Sequence, residues 1–99
     1  MKNYFLSKLF NINYRIATHE GNANRRLASQ ATEILFQLAP NNKLVPDPYK
    51  IEFSKLITLL NDTLAESEGR VSVRVKGIQN RTAAKYIKLL IDIREYLED

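Results

Sequence analysis

The sequence predicts an all-α fold, a small bundle of four helices, and three observations support this. Apolar residues recur every three to four positions along most of the chain, which is the period of one helix face. The prolines are confined to one stretch, between residues 40 and 48. The chain has 99 residues, 44% hydrophobic and 26% charged, which is the size and composition of one globular domain. We therefore predict a single helical domain over residues 1–99.

The first predicted helix runs from about Lys2 to Ile16. Phe10 and Tyr14 fall outside its apolar face and are four residues apart, so they should adjoin on the helix surface. Either another helix covers this pair, or the pair forms a subunit or partner contact, because exposed aromatic residues often mark interfaces. The residues that form the inward face are Phe5, Leu6, Leu9, Ile12 and Ile16.

The second predicted helix begins after Gly21. A glycine there suits the left-handed backbone conformation that commonly follows the C-terminus of a helix, and Asn22 can then serve as the N-cap residue of the next helix. Its apolar stripe extends from Ala23 to Leu38 at the helical period. Phe36 points away from that stripe. It therefore joins the aromatic pair of the first helix as a third candidate interface residue.

A linker is predicted from Ala39 to Asp47, because its prolines and asparagines oppose a helix. The third helix should start where Asp47 precedes Pro48, an N-cap residue followed by a proline at the first helical position. We expect this helix to end by Gly69.

The last predicted helix covers Arg70 to Leu97 and carries an apolar face beside a row of cations. Residues 70–76 also fit a strand, because three valines alternate there with polar residues. No second strand candidate exists in the chain to pair with them, so a helix is favoured and an extended segment is the alternative. The row of cations, called the basic stripe below, comprises Arg70, Arg74, Arg81, Lys85 and Lys88.

The basic stripe is the most distinctive charge feature of a chain whose net charge is +4. A ridge of this kind can contact a phosphate backbone or an acidic protein surface, although charge runs on helices are also common as solvated faces. No aromatic residue is interleaved with the cations, so nucleic-acid binding through them should not depend on sequence.

Two charges interrupt apolar helix faces. Glu20 falls on the inward face if a helix continues past Gly21, and Arg94 falls among the apolar residues of the last helix. Each can reach solvent at a helix end, or the two can form a buried ion pair that fixes the register of the helices.

The sequence offers no catalytic, cofactor-binding or metal-binding residues. It contains no cysteine and one histidine, and it has no glycine-rich phosphate loop and no nucleophile beside a base. No apolar run is long enough to cross a membrane, and a cytoplasmic location is expected. We therefore predict a non-enzymatic interaction module that binds a protein partner or itself as a homodimer. The alternative is a nucleic-acid-binding protein, and no membrane or small-molecule substrate is indicated.

Overall fold

The computed structural model describes residues 2–66 and 74–98 and confirms the all-α fold. The α-helices are α1 (Lys2–Thr18), α2 (Ala23–Ser29), α3 (Ala31–Glu33), α4 (Lys50–Glu66) and α5 (Asn80–Glu98). Short helical turns join α3 to α4: a π-helix at Ile34–Leu38 and 3₁₀ helices at Ala39–Leu44 and Asp47–Tyr49. The residues from α2 to Leu44 thus form one interrupted helical arm, and this arm packs with α1, α4 and α5 as a bundle of four, as predicted.

The predicted break between the first two helices is confirmed at Gly21. This glycine has a φ of +109°, in the left-handed region that favours residues without a Cβ. The side chain of Asn22 then accepts a hydrogen bond from the backbone N–H of Arg25 at 3.0 Å, which caps α2. Such a cap stabilises a helix by about 1 kcal/mol.

The predicted linker is more helical than its prolines suggest. A 3₁₀ helix continues to Leu44, because Pro40 lies in its first turn, where a missing N–H is tolerated. The helical path is kinked at Asn41, which has φ −110° and ψ 29°. Asp47 and Pro48 begin a short 3₁₀ turn before α4, so the predicted start is correct to within a few residues.

The core lies where α1, the interrupted arm, α4 and α5 meet. Phe5 and Phe53 are the largest side chains in it, and both are almost completely buried. The other large side chains that are fully buried in the described chain are aliphatic and come from every arm, which accounts for one continuous core: Leu9, Ile12, Ile16, Leu27, Ile34, Leu38, Leu56, Leu60, Leu90 and Ile93.

The prediction of a helix from Arg70 is wrong for residues 74–79, because α5 begins only at Asn80. Residues 70–73 lie outside the described residues. Val75 is fully buried, and both of its backbone polar groups bond to the side chain of Asn24. A helix would need those groups for its own i to i+4 bonds, so the contact with α2 replaces helical pairing here.

Candidate functional site

A surface groove lies between α4 and α5 and is bordered by described residues. The two helices run in opposite directions, and the rings of Tyr49 and Tyr96 meet edge to face at 5.8 Å at one end of the pair. The groove, about 740 Å³ in volume, is wide and open. Its apolar lining comes from both sides of the pair and from the segment before α5: Ile51, Leu59, Ile78 and Tyr86.

Ile51 is the most exposed apolar residue of this groove, with 73% of its surface accessible. It lies on the outer face of α4, on the opposite side of the helix from Phe53, Leu56 and Leu60, which fill the core. The helix therefore has more apolar surface than its own core uses. Ile51 and the half-buried apolar side chains of the groove together form an apolar patch on the surface.

Charged residues surround this apolar surface. Lys50 and Lys55 line the groove with a single acid, Asp62. Both lysines are in exposed ion pairs within their own helical turn, at 3.0 Å and 3.1 Å from a carboxylate oxygen. Exposed pairs of this kind are worth under about 1 kcal/mol, so a competing carboxylate can replace the present partner.

The three aromatic residues predicted as an interface are exposed. The accessible fractions are 52% for Phe10, 62% for Tyr14 and 72% for Phe36. The guanidinium of Arg94 lies 5.8 Å from the ring centre of Phe10, so α5 packs beside that ring without covering it. In the described parts of the chain, no ring contact brings Phe36 to the α1 pair.

The basic stripe does not lie on one helix. Arg74 belongs to the non-helical segment, and Arg70 lies outside the described residues. Arg81, Lys85 and Lys88 remain on the exposed face of α5.

One of these three helical cations already has a partner. Lys88 donates a hydrogen bond to a carboxylate oxygen of Asp92 at 2.8 Å, and this bond and the charge of Asp92 raise the pKa of Lys88 above 10.5. The stripe is therefore interrupted by non-helical backbone at one end and by a carboxylate at the other.

The proposed buried pair of Glu20 and Arg94 is wrong. Glu20 lies beyond the end of α1 and is exposed, because the chain turns at Gly21 instead of continuing as a helix. Arg94 is partly buried, and its Nε lies 3.8 Å from Glu98, which is too far for a hydrogen bond. Its aliphatic stem and its contact with Phe10 account for its position on an apolar face.

A second depression, called the polar cavity below, lies where the 74–80 segment meets the turn before α2. Its volume is about 410 Å³. Sequence reasoning missed its key residue, Asn24, because an asparagine in the first turn of a helix is unremarkable by pattern alone. The available signal was Asn22, the predicted N-cap residue, which also lines this cavity. Its polar lining residues are Asn22, Asn24, Arg25, Arg74, Gln79 and Asn80.

The described residues contain no group of three histidines, cysteines or carboxylates close enough to hold a metal ion. None of the described helices is long and apolar enough to cross a membrane. Comparison of the chain with protein-family models, with curated proteins and with solved structures finds no match in any of the three. Function therefore has to be inferred from the surfaces described above.

Proposed function

We propose that this protein is a non-enzymatic interaction module that binds an amphipathic helix of a partner protein in the groove between α4 and α5. The proposal rests on the exposure of Ile51. This aliphatic side chain is 73% accessible and lies beside other apolar side chains, so a partner that covers it removes a large apolar area from water, which favours binding. We also expect the module to act in the cytoplasm.

The shape of the groove favours a helix as the occupant. Two antiparallel helices border it, and helix-in-groove recognition uses this kind of surface, with apolar anchors at i, i+3, i+4 and i+7. Ile51 and Tyr86 lie on opposite sides of the groove, so each can contact a different edge of the partner's apolar face.

The charges around the groove favour acidic residues beside those anchors. Lys50 and Lys55 line it from α4, and Lys85 lies in the adjoining depression that shares Tyr86. Lys85 has no ion pair with any described residue. A partner helix with Asp or Glu beside its apolar face would complement these lysines, which increases the rate of association and selects the orientation.

The experiment is selection of peptides from a displayed library of helices whose surface positions are randomised. Selection against the wild-type protein should enrich helices with an apolar i, i+3, i+4, i+7 pattern and flanking acids. Ile51→Ser should weaken the selected peptides at least tenfold, since buried aliphatic anchors contribute more than about 1.4 kcal/mol.

Phe36→Ser is the matched control, because Phe36 is 72% exposed and lies outside the groove. Both variants should unfold within about 0.5 kcal/mol of the wild type, as expected for exposed positions. Peptides that bind both variants as tightly as the wild type, or that lack the apolar pattern, would contradict the proposal.

A further inference from the structure

The polar cavity differs chemically from the groove and requires a different ligand. Two of its lining residues, Arg25 and Arg74, carry guanidinium groups, and none of its described lining residues is acidic. Guanidinium groups stay charged at every physiological pH. The described lining therefore carries positive charge, which favours an anion as the ligand.

Arg25 is well placed for such a ligand. Its side chain packs along Gly21, where an added Cβ would lie 3.3 Å from the Arg25 Cβ and 3.3 Å from its Cδ. The aliphatic stem is thus held against the turn before α2, while the residue as a whole is exposed. No carboxylate of the described residues pairs with Arg25, so an incoming anion would not have to displace one.

The opposite wall of the cavity is held in place by hydrogen bonds. The backbone N–H of Asn24 donates to the Asn80 side chain at 3.0 Å. The Asn24 side-chain amide also donates to the carbonyl oxygens of Val75 and Ile78, at 2.8 and 3.2 Å. These bonds tie the start of α5 and the segment that carries Arg74 to α2. A site held in this way loses little conformational freedom when a ligand binds.

We propose that the polar cavity binds the terminal phosphate of a small phosphate monoester. Arginine forks match the oxygens of a phosphate, and the side-chain amides of Gln79 and Asn22 can donate to oxygens that remain. A volume of about 410 Å³ leaves room for the group attached to the phosphate and falls within the range of about 300–1,000 Å³ usual for small-molecule sites. A phosphodiester has a further group attached on each side of the phosphate, so it fits an open ridge better than a partly enclosed cavity.

The test is an NMR titration of the whole chain with three probes: inorganic phosphate, adenosine 5′-monophosphate and adenosine. The two phosphate probes should shift the backbone amides of Asn24, Gln79 and Asn80, which line the cavity, and adenosine should not. The amide of Ile51 should stay unchanged, which separates this site from the groove. Adenosine shifting the same amides as strongly as its monophosphate would overturn the proposal.

Variants test the two arginines. Arg25→Gln and Arg74→Gln should each weaken binding of the monophosphate about tenfold or more, because a charge-assisted hydrogen bond is lost in each. Arg15→Gln is the matched control, an exposed arginine of α1 outside the cavity, and it should bind like the wild type. Equal weakening by all three variants would indicate general charge attraction and would overturn the proposal.

An oligothymidylate without terminal phosphates distinguishes the source of the phosphate. It should not displace the monophosphate when the two are present at equal phosphate concentration. If the oligothymidylate binds more tightly than the monophosphate and shifts the same amides, the cavity binds a nucleic-acid backbone, and the assignment to a monoester is wrong.

Discussion

The side chain of Asn24 pairs with the backbone of Val75 as a neighbouring strand would. Its Oδ1 accepts the Val75 N–H at 2.6 Å, and its Nδ2 donates to the Val75 carbonyl oxygen at 2.8 Å. Val75 is fully buried, so both of its backbone groups need a partner inside the protein. One amide side chain therefore lets a non-helical segment enter the core of an all-α protein.

We expect Asn24→Ala to destabilise the fold by about 3 kcal/mol, because it leaves buried backbone groups of Val75 without partners. Chemical denaturation measures the loss, and amide hydrogen exchange at Val75 should become faster in the variant. Asn11→Ala, at an exposed position of α1, is the control and should change stability by under about 0.5 kcal/mol. Equal stability of the two variants would show that water satisfies Val75 instead.

The contact between Asn24 and Val75 also marks the limit of what the sequence could predict. Periodicity placed α1 and α4 within a few residues, because their apolar faces repeat over several turns. The segment with Val75 fitted a helix and a strand equally in pattern. Its conformation depends on a side chain 51 positions earlier in the chain, and local patterning contains no such information.

The sequence predicted some features of the candidate sites and failed to predict others. Helical geometry placed Phe10, Tyr14 and Phe36 outside the inward faces of their helices, and all three are exposed in the structure. The basic stripe and the pair of Glu20 with Arg94 both assumed that a helix passes through a glycine. Gly21 and Gly77 instead have φ values of +109° and +81°, so each turns the chain and redirects the charges nearby.

The pair of Lys88 and Asp92 predicts a measurable titration. The hydrogen bond to Asp92, and then the charge of that carboxylate, raise the pKa of Lys88. The stabilisation requires protonated lysine, so it is fully present below pH 10.5 and is lost as the pH rises through the raised pKa. Asp92→Asn should lower the pKa of Lys88 towards 10.5, and ¹³C NMR of the lysine Cε across the alkaline range measures it.

Glu95→Gln is the control for that titration. Glu95 contributes less to the raised pKa of Lys88 than Asp92 does, and it acts through charge alone. Its removal should therefore lower the pKa of Lys88 by less than Asp92→Asn does. Salt at about 0.5 M should reduce the effect of Glu95 more than that of Asp92, because Glu95 is exposed and Asp92 is partly buried. A pKa that is the same in the wild type and in Asp92→Asn would mean that the hydrogen bond does not persist in solution.

The last prediction is self-association through α1. Phe10 and Tyr14 adjoin on its exposed face, and Ile87 and Ile91 line an apolar depression between α1 and α5. Two copies that pack these faces together around a two-fold axis would cover both aromatic pairs at once, since each copy contributes the same residues.

We expect the wild type to sediment as a dimer at micromolar concentration. Because each aromatic anchor counts twice in such an interface, Phe10→Ser/Tyr14→Ser should weaken dimerisation by roughly 100-fold or more. Phe36→Ser should leave the dimer intact if the α1 pair alone forms the contact. A wild type that remains monomeric at high micromolar concentration would show that these rings are solvated surface.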